Sequence, residues 1–278
     1  MRNPLLQPFL KWAGGKRQLL PILKTKVPKK YNKYYEPFVG AGALLFEIQP
    51  KKAVINDINS ELINCYRVIK EDLNDLILDL SQHQNEKEYY YQIRDLDRSD
   101  SYCEISNVKK ASRIIYLNKT CYNGLFRVNS QGQFNVPFGK YKNPKIVDEV
   151  VLKAIHHYLT ENSVDIRNVD FEAAVADAKK GDFIYIDPPY DPVSDTSSFT
   201  GYSIDGFGKE EQKRLKSLFT SLDERGCKVM LSNSATPFIL DLYRDYNPII
   251  VEAKRNINSV AIGRGKIDEV LVMTNYDF

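Results

Sequence analysis

KYYEPFVGAGALLFEI, residues 33–48, reads as a short strand, a glycine turn and then a helix. KKAVINDINSELINCY, residues 51–66, repeats the order with a second strand, an acidic turn and another helix. Apolar residues at strand spacing give way to helical spacing across each turn, the pattern of a βαβ unit with parallel strands. The second strand of that unit ends at Asp57.

Outward from this opening, helical patterns run over Leu62–Leu80, Glu86–Leu96 and Val108–Lys119, with little strand propensity between them. GLFRVNSQGQFNVPFGKY, residues 124–141, has two short runs flanking an N-S-Q-G-Q turn and reads as a β-hairpin or an ordered loop. Beyond residue 146 the alternation returns. Val164–Arg167, Phe183–Asp187, Lys228–Ser232 and Pro248–Glu252 read as strands, and DEVLVMTNY as a last one. Lys209–Arg225 is an amphipathic helix with Gly226 where a C-terminal cap is expected. The fold expected is α/β: a Rossmann-like sheet with an inserted helical and hairpin module. Residues 1–60 and 146–278 would form one discontinuous domain and 61–145 the insert.

The 278 residues, 43% hydrophobic and 27% charged, suffice for a sizeable core. No apolar run approaches the roughly 18 residues of a membrane span, and nothing resembles a signal peptide, so a cytoplasmic protein is expected. Cys65, Cys103, Cys121 and Cys227 are scattered and the three histidines lack ligand spacing, so no metal site is expected. A net charge of +3 neither favours nor excludes nucleic acid, although basic residues cluster at 24–33, 109–119 and 140–145.

Four motifs carry chemistry. Glycines directly after a strand, as in Glu36-Pro37-Phe38-Val39-Gly40-Ala41-Gly42, let backbone approach a nucleotide-like ligand. The third glycine of a dinucleotide fingerprint is missing, so a ligand without phosphates, such as the adenosine of S-adenosylmethionine, fits better. Asp57, ending the next strand, is placed to accept from both ribose hydroxyls, though it could instead cap the following helix. Asp187-Pro188-Pro189-Tyr190 follows the apolar strand FIYI. A carboxylate and a proline carbonyl accepting the two N–H bonds of adenine N6 would draw that nitrogen toward tetrahedral geometry. A tyrosine beside them offers a stacking face for an extruded base. Last, Lys11-Trp12-Ala13-Gly14-Gly15-Lys16 holds the only tryptophan, which could face a sulfonium, and a lysine that could meet a carboxylate.

In this order the motifs resemble the Dam family of DNA adenine-N6 methyltransferases, and within it the GATC-specific methylases of DpnII/MboI-type restriction–modification systems. The likeness spans nearly the whole chain through KWAGGK, EPFVGAG, INDIN, YNGLFRVN, FNVPFGKY, DPPY, FTGY and GKIDEV. The resemblance implies S-adenosylmethionine as cofactor, held by Trp12, Lys16, Phe38, Gly40, Gly42, Asp57 and Asp187. It implies catalysis by Asp187, Pro188, Pro189 and Tyr190 with base flipping. It implies double-stranded DNA as partner, contacted through Lys11, Tyr122, Asn123, Leu125, Arg127 and Tyr141, with Arg127 on a guanine. A monomer and a functional pairing with a restriction endonuclease, without direct contact, are the family's expectations. Rival readings are a methyltransferase for an RNA base or a protein glutamine, and an inactive DNA-binding relative.

Overall fold

The computed structural model describes residues 2–12, 16, 19–192, 207–253 and 267–278, and the structural account is confined to these. FTGY and the first two residues of GKIDEV lie outside the described residues, as do 13–15 of the N-terminal motif.

After helix α1 (Leu20–Lys26) come β1 (Tyr34–Glu36), α2 (Ala43–Ile48), β2 (Lys52–Asn56) and α3 (Ser60–Glu71). Helices α4 (Leu73–Gln82), α5 (Lys87–Asp95) and α6 (Asn107–Thr120) follow, then α7 (Glu149–Glu161) and β3 (Ser163–Arg167). The chain continues through α8 (Phe171–Ala174), β4 (Phe183–Ile186), α9 (Lys209–Glu224), β5 (Lys228–Ser234), α10 (Pro237–Leu242), β6 (Ile249–Ala253) and β7 (Ile267–Met273).

Among the described residues seven strands form one sheet in the order β3-β2-β1-β4-β5-β7-β6. Only β7 runs antiparallel to its neighbours β5 and β6. Strands buried on both faces read as unbroken apolar runs, which is why FIYI in β4 carries no alternation. The faces nevertheless divide with a period of two. Tyr34, Ala53, Ile55, Phe183 and Tyr185 join one cluster with α3, α6 and α7. Tyr35, Val54, Ile184 and Ile186 join the other with α8, α9 and α10. The first cluster continues through Leu62, Ile63 and Tyr66 of α3 into Ile114, Ile115 and Leu117 of α6 and on to Phe126 and Phe134. The segment 61–145 therefore shares its core with the sheet.

One local reading changes, and another resolves to the second of its two alternatives. The single helical run over Leu62–Leu80 breaks at Asp72, whose φ of −128° ends α3 before α4 starts. Residues 121–138 form an ordered loop pinned by two isolated antiparallel bridges, Cys121 to Phe138 and Val128 to Phe134, in place of a hairpin ladder. The expected cap after α9 is present: Gly226 has φ +75°, its N–H donates to Asp223 O and Cys227 N–H donates to Leu222 O. No helix among the described residues is long and apolar enough to cross a membrane.

The strand order reverses between β1 and β4. Chain order moves outward from β1 to β2 and β3 on one side and from β4 to β5 on the other. A crevice opens at the carboxyl ends of strands where the order reverses in this way. The glycine turn leaves β1 at that crevice, and Asp187 leaves β4 beside it.

Candidate active site

The turn after β1 is held open by backbone geometry that favours glycine. Gly40 and Gly42 adopt φ of +49° and +73°, and a Cβ on Gly40 would sit 3.0 Å from Trp12 Cδ1. The indole is thus packed directly on the turn. Gly40 N–H donates to Asp57 Oδ2 at 3.1 Å, and Asn59 N–H donates to Asp57 Oδ1 at 3.0 Å. The cap of α3 is Asn59, whose Oδ1 accepts from Leu62 N–H, so Asp57 is spared that duty. A carboxylate has about four lone-pair sites, so Asp57 keeps acceptor capacity beyond these backbone donors. Burial lifts its pKa to about 6 against the backbone donors that lower it.

Phe38 lies in the same turn, 5.4 Å from Phe171 and edge-on to Phe207 at 5.7 Å between ring centroids. A side-chain-free cradle, a paired set of carboxylate acceptors and flanking aromatic rings suit an adenosine without phosphates. The residues present therefore fit S-adenosylmethionine.

Asp187 opens the second wall. Lys16 Nζ reaches its Oδ1 at 2.8 Å, and Ser232 Oγ, at the end of β5, donates to the same oxygen at 2.9 Å. Among the described residues no donor meets Oδ2. Burial raises the Asp187 pKa, while Lys16 and Ser232 pull it down. Behind it, the buried Glu36 is pushed well above the usual carboxylate range by burial, and Tyr34 OH donates to it at 2.9 Å. The prolines differ in use. Gln212 Nε2 donates to the Pro189 carbonyl at 2.9 Å, whereas among the described residues nothing donates to that of Pro188. Tyr190 OH donates to Glu269 Oε2 at 2.6 Å. Lys16 Nζ bonds to the Tyr190 hydroxyl and lies 3.8 Å from its ring centroid. Lys16, read from sequence as a partner for a ligand carboxylate, is thus engaged with protein carboxylates in this structure.

The insert residues gather at the adjoining rim. Asn118 clamps the backbone of Lys11 by accepting from its N–H and donating to its carbonyl, and donates also to Gly124 O. The Lys11 stem lies on Gly124, and its Nζ sits 5.7 Å from the Tyr141 ring centroid. Tyr122 and Asn123 are exposed, Asn123 with φ +56°, while Leu125 is half-buried against the core. Arg127 projects to solvent with Nε braced on Asn135 Oδ1 at 2.7 Å. One contact joins the rim to the crevice: Trp12 stacks on Phe126 at 4.7 Å with 27° between the rings.

Sequence reasoning missed Ser232, Gln212 and Glu269. Ser232 had a faint signal, the polar SNS ending the apolar run of β5, whereas Gln212 and Glu269 reach the site only through tertiary packing.

The comparisons agree with this geometry. Residues 12–257 match the model of the D12 class N6 adenine-specific DNA methyltransferases. The chain is 52% identical over 273 residues to the Type II methyltransferase M1.LlaDCHI of Lactococcus lactis subsp. cremoris, covering 98% of this chain and 96% of that one. It is 44% identical to the Type II methyltransferase M.MjaIII of Methanocaldococcus jannaschii, covering 98% and 99%. With the DNA adenine methylase of Escherichia coli K12 it shares 33% identity over 95% of this chain and 94% of that one. A glycine turn beside a carboxylate and a proline carbonyl to which no described residue donates is what such chemistry asks of a protein, and the chain belongs to the D12 class of N6 adenine-specific DNA methyltransferases.

Proposed function

We propose that this enzyme uses S-adenosylmethionine to methylate adenine within GATC in duplex DNA, as the protective half of a restriction–modification system. The observation that carries the reading is the meeting of the Gly40–Asp57 cradle and Asp187–Tyr190 at one crevice, with the Trp12–Phe126 stack leading to a rim of exposed basic and polar side chains. The relatives at 52% and 44% identity are both named Type II methyltransferases, a term for restriction–modification methylases, and this supports the pairing.

Trp12, Phe38, Gly40, Gly42 and Asp57 would hold the cofactor, with Asp187 and Lys16 at its reactive end. Bound there, it supplies an electrophilic methyl group. The target adenine leaves the duplex at a cost of a few kcal/mol and stacks on Tyr190. Asp187 Oδ2 and the Pro188 carbonyl accept the two amino N–H bonds, freeing the nitrogen pair that the ring would otherwise delocalise. Orientation and fixed charge do most of the work, and the surplus proton leaves to water. Pro189, its carbonyl tied to Gln212, holds the turn. Arg127 would read guanine O6 and N7, while Lys11 and Tyr141 position the phosphates and Tyr122, Asn123 and Leu125 line the DNA. In this reading residues 61–145 serve recognition, residues 1–60 and 146–278 serve catalysis, and the enzyme works as a cytoplasmic monomer.

Tritiated S-adenosylmethionine and two duplexes, one with GATC and one with that site scrambled, test the specificity. Label in N6-methyladenosine from the GATC duplex alone supports it. Equal label in both refutes the GATC assignment and leaves the chemistry standing.

A further inference from the structure

We propose that Glu269 is a positioning residue for methyl transfer: it fixes the ring plane of Tyr190 and shares Lys16 with Asp187. The inference rests on the reading of Tyr190 as the surface on which the flipped adenine stacks.

Glu269 stands near the start of β7, opposite Ser234 at the end of β5. Because β7 is antiparallel, its beginning lies at the carboxyl edge of the sheet, next to the residues that leave β4 and β5. There the carboxylate is 5% exposed. Burying a carboxylate so fully costs free energy unless specific partners offset it, and the partners here are both active-site groups. Oε2 accepts from Tyr190 OH at 2.6 Å and lies 3.6 Å from Lys16 Nζ. Lys16 in turn holds Asp187 Oδ1 at 2.8 Å with its own side chain 7% exposed.

The charges decide what Glu269 does. One buried ammonium stands between the buried Glu269 carboxylate and the half-buried Asp187 carboxylate, so neither has the lysine to itself. With Asp187 alone, Lys16 would be drawn fully onto the carboxylate that must receive the adenine amino group. Glu269 supplies a competing acceptor 0.8 Å farther away, the difference between the 3.6 and 2.8 Å separations. A tyrosine whose hydroxyl is anchored also keeps its ring at one tilt, and a misplacement of about 1 Å in such a constellation can cost about a hundredfold in rate.

The test uses the full-length enzyme with E269L, E269Q, Y190F and Y190A. Steady-state kinetics are combined with fluorescence of 2-aminopurine at the target adenine. E269L removes both contacts and is expected to lower kcat by about tenfold to a hundredfold, with KM for the cofactor unchanged within about twofold. E269Q keeps an acceptor for Tyr190 and should restore kcat to within about threefold of wild type. In the Y190F background the gap between E269L and E269Q should narrow, because the hydroxyl that reads the difference is gone. E269Q also removes a negative charge facing Asp187 while Lys16, Glu36, Asp57, Tyr185 and Tyr190 remain. The acid limb of the single-turnover rate should therefore move to lower pH, a displacement that a merely structural role would not produce.

Wild-type kcat in E269L overturns the assignment, as does an unmoved acid limb in E269Q. If E269L fails to fold, the E269Q limb decides, and a limb that stays in place overturns the assignment. Wild-type turnover and fluorescence in Y190A would instead sink the base-stacking reading. A defective Y190A beside a normal E269L sinks only Glu269.

Discussion

Lowering the pH from 7.5 to 5 should weaken cofactor binding through one residue, Asp57. Its remaining acceptor capacity is proposed to receive the ribose hydroxyls, and a protonated carboxyl loses part of that capacity. Burial places its pKa at about 6, so about 97% is ionised at pH 7.5 and about 9% at pH 5. If the ionised form is the one that binds, the apparent Kd should rise about tenfold over that interval. The sign for folding runs the other way. A carboxyl raised above its unfolded value favours the folded state most below about 3.8 and loses that contribution as pH climbs through about 6. Unfolding driven by Asp57 is therefore not expected at pH 5. Calorimetric titration with S-adenosylhomocysteine, checked by circular dichroism at each pH, measures the effect. Asp57→Asn should bind more weakly at pH 7.5 and show little pH dependence. A Kd constant within twofold in the wild type, or the same slope in Asp57→Asn, would refute the ribose role.

Three further outcomes follow from local geometry. Gly40→Ala puts an L-residue at φ +49° and a Cβ 3.0 Å from Trp12 Cδ1, so about 1–2 kcal/mol of strain should appear as a lower Tm and a Kd for S-adenosylhomocysteine raised several-fold. Arg127→Ala should lose about 1–3 kcal/mol of discrimination against duplexes altered at one guanine, read as ratios of kcat/KM; unchanged selectivity and rate would show that another residue reads that base. Asp97 pairs with the buried Arg113 at 2.6 Å and accepts from Phe134 N–H of the loop 121–138 at 2.7 Å. Asp97→Ala should destabilise by about 3–5 kcal/mol in urea unfolding, since it leaves Arg113 buried without its counter-charge.

The parts of the site that were legible in sequence are those built by one strand and the turn that follows it. EPFVGAG, Asp57 and Asp187–Tyr190 each announce themselves this way, because local backbone geometry dictates their residues. The α/β class followed from the same alternation. What stayed hidden depends on distant chain segments meeting. Lys16 reads as a ligand contact until Asp187 and Glu269 are seen on either side of it. Glu269 sits within DEVLVM, where nothing separates a buried functional carboxylate from one on a solvated strand end. The break at Asp72 was invisible because apolar spacing continues from α3 into α4. The loop 121–138 resisted a firm reading for a related reason. Its shape comes from side chains outside it and across it, with Asp97 on Phe134 N–H and Arg98 Nη2 on Phe134 O, more than from its own turn residues.

Asp187 and Pro188 are proposed to hold the adenine amino group during methyl transfer, and a single-turnover experiment bears on this without intermediaries. Wild-type enzyme and Asp187→Ala would each be mixed at saturation with tritiated S-adenosylmethionine and a GATC duplex, and N6-methyladenosine counted after digestion. The variant should still bind DNA but form product at least about a hundredfold more slowly, the scale seen when a charge-stabilising group aimed at the reacting centre is removed. Product forming at the wild-type rate in Asp187→Ala would contradict it.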